Sequence, residues 1–208
     1  MSDSVFRTIM KDKLRTLAMT GEILDLGGAR GADYHDFATN NALITIVNIN
    51  PDTKPDIIHD LEKTPIPVAD ASFNGVFAIN VLEHIYNHGA LLRESFRVLK
   101  SQGTVVVIVP FVHYVHGAPS DYFRYTKDGL TRLLTDAGFK EIAVEEIGSG
   151  VFTATLNLFS RFLPSFILWP LFYIARFKDG LLRSLARLLG KQYSGAEYPM
   201  GYFVKAIK

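Results

Sequence analysis

The sequence predicts an α/β protein built on a doubly wound, mostly parallel sheet. Three observations carry this reading, and two are patterns: from residue 22 onward short apolar runs alternate with helix-period patterns, and a glycine-rich turn follows the first of those runs. The third is composition, since 208 residues with 48% hydrophobic and 21% charged side chains suit a packed domain and not a disordered chain. The expected unit is a single domain over residues 1–208. It has an N-terminal helix within 1–20 and a hydrophobic, helical insertion at 148–198 before the last strand.

The elements follow in order. Phe6, Ile9, Met10, Leu14 and Leu17 recur at helical spacing and predict an amphipathic helix laid against the domain. Strands are expected at Glu22–Leu26, Leu43–Ile49, Asp56–His59, Val76–Ile79 and Thr104–Val109. Ala90–Leu99 reads as a helix, with Gln102 and Gly103 as the turn into the fifth strand. Thr126 can cap a further helix, whose apolar stripe is Leu130, Leu133, Leu134 and Ala137 and whose stop is Gly138. Ile142–Ile147 makes a sixth strand, and Tyr202–Ile207 a seventh, antiparallel one.

Several function classes are excluded at this level. With 22 Lys+Arg against 21 Asp+Glu there is no bulk field to draw a nucleic-acid partner. The absence of cysteine removes disulfides, cysteine-based zinc sites and thiol nucleophiles. Charges scattered through the first 19 residues leave no apolar stretch of signal-peptide type, so a cytoplasmic location is expected.

The run Leu24-Asp25-Leu26-Gly27-Gly28-Ala29-Arg30-Gly31 falls where the first strand turns toward the first helix, at the edge where open α/β sheets bind ligands. Glycines there let main chain approach a nucleoside, and a tight packing turn accounts for them equally well. Gly27, Gly28 and Gly31 do not supply the G-x-G-x-x-G spacing of pyrophosphate-binding dinucleotide folds, which disfavours a dehydrogenase.

Over about residues 20–147 this turn and the motifs after it resemble, in order, the class I, Rossmann-like S-adenosylmethionine-dependent methyltransferases of the bacterial type 11 group. Asp25, Gly27 and Gly31 match the family's D-x-G-x-G-x-G turn, with Ala29 in place of one glycine. Val47-Asn48-Ile49-Asn50-Pro51 resembles the end of the second strand, where the family's acidic residue binds both ribose hydroxyls; here it is Asn48. His59-Asp60-Leu61 resembles the adenine-contacting stretch. Pro65-Ile66-Pro67, Ser72-Phe73-Asn74-Gly75-Val76, Asn80-Val81-Leu82-Glu83-His84 and Arg97-Val98-Leu99-Lys100 complete the series. The resemblance implies S-adenosyl-L-methionine as cofactor, held by Asp25, Gly27, Gly28, Gly31, Asn48, Asp60, Leu61 and Asn80. An amide accepts weaker hydrogen bonds than a carboxylate, so Asn48 is expected to weaken the ribose contact.

Methyl transfer from a sulfonium asks the protein to position an acceptor and to remove its proton. The polar and aromatic run Pro110–Thr126 leaves a central strand toward the cofactor edge, and its His116, Pro119, Asp121, Tyr122, Arg124, Tyr125 and Thr126 are similar to a pattern found in the same group. His116 is the first expected general base and Asp121 the second. An Asp121–Arg124 ion pair bracing the loop carries equal weight. His84 reads as a capping or packing histidine. No metal site is expected, because His113, His116 and Asp121 lack the helix-borne H-E-x-x-H geometry.

In the insertion, residues 151–177 are rich in Phe and Leu, but the apolar run within them is shorter than about 18 residues and carries Pro164 and Pro170, which interrupt helices, so no bilayer span is expected. A separate helix over Leu181–Lys191 is expected to put Leu181, Leu182, Leu185, Leu188 and Leu189 on one face and Arg183, Arg187 and Lys191 on the other. Two readings stand: packing on the sheet or on a second subunit, or peripheral contact with the inner face of a membrane through 151–191. The expected activity is methyl transfer to an oxygen or nitrogen of a small-molecule, glycan or lipid-linked acceptor. The alternative is a catalytically weak module acting as a membrane or subunit scaffold.

Overall fold

A computed structural model describes residues 4–117 and 119–208. Its sheet has seven strands: β1 (Glu22–Leu26), β2 (Leu43–Asn48), β3 (Ile57–Ile58), β4 (Phe73–Ile79), β5 (Leu99–Pro110), β6 (Lys140–Ile147) and β7 (Gly201–Ile207). They lie in the order β3-β2-β1-β4-β5-β7-β6. All neighbours are parallel except β7, which runs antiparallel between β5 and β6. This is the expected doubly wound sheet with its last strand reversed.

Six helices cover it: α1 (Val5–Leu14), α2 (Tyr34–Ala38), α3 (His88–Val98), α4 (Lys127–Asp136), α5 (Val151–Phe159) and α6 (Ser165–Leu188). Successive strand residues point to opposite faces, so a strand buried on both reads as one unbroken apolar run. Val105 and Val107 of β5 join a core with Leu91 and Leu92 of α3 and Leu130 and Leu134 of α4. Val106 and Ile108 join Phe6, Met10 and Leu14 of α1, Ala154 of α5, and Leu168 and Phe172 of α6 on the other face. The first strand and the Thr126-capped helix fall where the sequence puts them, Thr126 accepting from the Gly129 N–H at 3.2 Å.

Several boundaries differ. The expected turn at Gln102 and Gly103 is absorbed into a continuous β5, where Gln102 takes φ +62° and the β4–β5 register shifts between Phe73 and Gly75. Pro164 and Pro170 do not break the insertion as expected. Pro164 precedes the first residue of α6, where no intrahelical N–H is needed. Pro170 sits in the second turn, and its missing donor removes one hydrogen bond, at the exposed Phe166. A single 24-residue helix results, ending before Lys191, with Gly190 at φ +66° and the Lys191 N–H bonded to Ala186 O at 2.8 Å. Of the expected leucine stripe, Leu181, Leu185, Leu188 and Leu189 lie exposed rather than on the sheet, Leu188 at 84%. No helix among the described residues is long and apolar enough to cross a membrane.

Candidate active site

The residues expected at the cofactor follow the C-terminal ends of β1 to β4, so the topology gathers them along one sheet edge. Asp25 is fully buried under the glycine turn, with Oδ2 bonded to the Tyr34 hydroxyl (2.6 Å) and to His35 Nε2 (2.7 Å) and Oδ1 without a partner among the described residues. Burial raises its carboxyl above the usual range, with His35 and Tyr34 acting against it. The glycines answer first to the protein itself. A Cβ on Gly28 would meet the Asp25 carboxylate at 1.9 Å, and one on Gly27, at φ +75°, would meet Val81 at 2.5 Å. Gly31 has open space around it.

Asn48 is placed differently from the resemblance. Its side-chain amide donates to the carbonyls of Gly27 (2.9 Å) and Gly28 (2.8 Å), and its Oδ1 accepts from the Asn50 N–H (2.9 Å). The side chain is spent holding the turn, a task no carboxylate can perform because it has no donor. Asp60 is half-buried and accepts from the Glu62 N–H at 3.1 Å, while Leu61 is buried in the core. Asn80, at φ +53°, keeps a buried Oδ1 without a partner. The open space at Gly31 suits a nucleoside beside the turn, while the Asn48 amide donors are engaged by the turn and its Oδ1 keeps one accepting position.

Asn80 also lines a cavity of about 460 Å³. Its walls include the start of α1 (Ser4, Phe6, Arg7, Met10), the histidines His84, His113 and His116, and Asn157, Ser160 and Arg161 from α5 and the turn after it. Arg161 stacks on Tyr114 at 4.8 Å from the ring centre. The loop after β5 is stitched to the turn Leu82–His84: Tyr122 N–H donates to Glu83 O (2.8 Å), the Tyr125 hydroxyl to Leu82 O (2.8 Å), and His84 Nδ1 faces Ser120 O (2.5 Å). His84 is therefore a wall residue held from the loop, not a helix cap.

The two expected bases differ in surroundings. Asp121, its side chain 3% exposed, takes a bidentate pair from Arg124 at 2.5 and 2.7 Å and accepts the His116 N–H at 2.8 Å. Arg124 holds its carboxyl far below the ordinary range. His116 is half-buried, with Nδ1 near Tyr114 O (3.2 Å) and Nε2 turned inward. Next to it, burial together with the neighbouring His116 and Arg124 depresses His113 to about 4. Glu83, not among the residues expected at the site, is fully buried and pushed up to about 7 by burial, with neither oxygen hydrogen-bonded among the described residues. The signal available was its place beside His84 after β4.

Residues 24–107 match the family described as a methyltransferase domain. Over those residues the chain is similar to methyltransferase domains. A relative in Mycobacterium tuberculosis, named a probable S-adenosylmethionine-dependent methyltransferase, is 34% identical over 85 residues, a match spanning 38% of this chain and 31% of that protein. Among solved structures, a SAM-dependent methyltransferase from Archaeoglobus fulgidus superposes with TM-score 0.62 at 18% identity, over 97% of this chain and 94% of its own. The [4+2]-cyclase SpnF does so with TM-score 0.59 at 17% identity, over 96% and 79%. At these identities the superpositions establish the methyltransferase fold of the domain and leave its chemistry to the site.

Proposed function

We propose that this protein transfers a methyl group from S-adenosylmethionine to an oxygen or nitrogen of an acceptor seated in the cavity. The supporting observation is the position of Asn80, which follows β4 beside the glycine turn and lines the acceptor cavity, with its buried Oδ1 unpartnered among the described residues. The cofactor supplies an already activated methyl group, so the protein's own work is placement and proton removal. His116 takes the acceptor proton, its Nδ1 directed to Tyr114 O so that Nε2 is the basic atom. Asp121, committed to Arg124 and to the His116 main chain, positions this loop instead of acting as a base. Arg7 and Arg161 at the cavity suit an acceptor bearing an anionic group.

The acceptor we infer is amphiphilic, met at the cytoplasmic face of an anionic membrane. Phe159, Phe162, Phe166, Phe177, Leu181 and Leu188 of the insertion are exposed. Around them residues 151–191 carry Arg161, Arg176, Lys178, Arg183, Arg187 and Lys191 against one acid, Asp179, which is buried. That charge pattern complements anionic lipid, and the apolar side chains give depth.

Calorimetry with S-adenosylmethionine and S-adenosylhomocysteine tests the enzyme reading, both being expected to bind and nicotinamide dinucleotides not. If neither sulfur nucleoside binds at about millimolar concentration, equivalent to roughly 4 kcal/mol, the reading is lost. The engagement of Asn48 with Gly27 and Gly28 favours the second reading, a weak or inactive module, and the same titration separates the two.

A further inference from the structure

We propose that Glu83, His84 and His116 form a site for a divalent transition-metal ion of the zinc class, set in the cavity wall. The argument begins with tautomers. A carbonyl can only accept, so the contact of His84 Nδ1 with Ser120 O at 2.5 Å puts the ring proton on Nδ1 and leaves a lone pair on Nε2. Tyr114 O, 3.2 Å from His116 Nδ1, does the same for His116. Both Nε2 atoms then face one carboxylate oxygen: Glu83 Oε1 lies 3.7 Å from His84 Nε2 and 3.9 Å from His116 Nε2.

Two imidazole lone pairs meet one carboxyl group, which is fully buried with both oxygens lacking a hydrogen-bond partner among the described residues. Such a cluster calls for a cation. One carboxylate and two imidazoles, each imidazole oriented through its other nitrogen by a carbonyl, is a zinc-type ligand set with its outer supports in place. All three ligand atoms lie within 4.8 Å of one another. Tetrahedral bonds of about 2.0–2.1 Å require ligand separations of roughly 3.3–3.4 Å, so closing the site draws each imidazole about 0.3 to 0.6 Å toward the carboxylate and brings the two imidazoles, within 4.8 Å of each other, together by up to about 1.4 Å.

His84 and His116 line the cavity, and Glu83 lies behind them, so the ion's open positions face the acceptor. When it is bound, His116 acts as a ligand, and the ion takes over the lowering of an acceptor hydroxyl's pKa. This consequence rests on the methyl-transfer reading. The site does not, because ion binding is read without cofactor.

The test is titration of the chelator-treated full chain with Zn²⁺, and with Co²⁺ as a coloured substitute. One ion per chain is expected, with a visible Co²⁺ band of four-coordinate intensity and paramagnetic displacement of the His84 and His116 ring protons. Glu83→Gln, which keeps the side-chain shape, and His116→Ala, in the half-buried loop, should each weaken binding by about tenfold or more, whereas His59→Ala should leave it unchanged. Absence of stoichiometric binding by the wild-type chain overturns the proposal. So does binding that moves only the His59 signals or that survives both site variants. Loss of S-adenosylmethionine binding with ion binding intact would sink the enzyme reading and leave this one standing.

Discussion

Thr153 gives Asp179 both its backbone N–H, at 3.1 Å, and its hydroxyl, at 2.8 Å, so that a side chain of α6 caps the first turn of α5. The Phe152 N–H (2.9 Å) and the Ser149 hydroxyl (3.2 Å) complete the set around a fully buried carboxylate. Gly150 is required beside it, since a Cβ there would stand 2.6 Å from the same carboxylate. Asp179→Ala leaves these donors buried and unpaired. It should cost about 2–4 kcal/mol in urea unfolding, combining a lost cap with unsatisfied amides. A loss under about 0.5 kcal/mol would mean that water replaces the carboxylate.

Asn48→Asp should weaken S-adenosylmethionine binding, against the expectation drawn from the resemblance. The new carboxylate would face the Gly27 and Gly28 carbonyls now held at 2.9 and 2.8 Å, acceptor against acceptor, and the turn would open. Calorimetry that finds tighter binding in the variant would show that the side chain leaves the turn to meet the ribose.

His116→Ala should lower turnover by about a hundredfold or more while cofactor affinity stays nearly constant, as expected for loss of a general base. Equal activity in the variant would make this histidine part of the wall alone.

Glu94 ties α3 to the segment before β4. It accepts from Arg97 (Nη2 at 2.8 Å) and from the Ile66 N–H (2.7 Å), while Arg97 also donates to the carbonyls of Ile66 and Val68 at 3.0 Å. The Arg97 hydrogen bond holds the Glu94 carboxyl below its ordinary value. With the folded pKa depressed, this stabilisation is present above the unfolded value of about 4.3 and is lost as pH falls through the folded one. Glu94→Gln should therefore be less stable than wild type by about 1–3 kcal/mol at pH 7, the two converging in acid. A constant offset across the acid limb in urea titrations would assign the effect to packing.

Anionic vesicles should float the protein, neutral vesicles should not, and high salt should weaken the attachment, because each basic residue near the surface contributes about 1 kcal/mol that salt screens. Phe166→Glu together with Phe177→Glu should abolish it, since both side chains are exposed, Phe166 at 78%. A protein that stays in the soluble fraction throughout, and sediments as a dimer, would assign the face to a second copy.

The sheet was legible because its signals are local. Val105 to Ile108 read as a buried strand since both faces are covered, and Thr126 reads as a cap since its partner lies three residues on. Long-range partners were not. Glu83 looks like any polar residue after a strand until the loop bearing His116 folds over it. Asn48 matched a motif position, yet its donors turned to carbonyls twenty residues earlier. The exposure of Leu185 and Leu188 follows from the other side of α6, where Leu168, Phe172 and Ala175 took the sheet.

The Asn157 side-chain oxygen of α5 accepts the Phe6 N–H at the start of α1 at 3.1 Å, while Asp179 caps α5 itself. On the ribosome this sets a delay. α1 emerges first, but its core neighbours Ile147, Ala154, Leu168, Met200 and Phe203 arrive some 130 to 200 residues later, roughly ten seconds or more at bacterial speeds. Until then Phe6, Met10 and Leu14 have only the sheet face of Ile23, Phe77, Val106 and Ile108 to settle on, with no helix beside them from the insertion. The cavity, walled from the start of α1 to Arg161, comes into being only once the segment bearing α5 has been made.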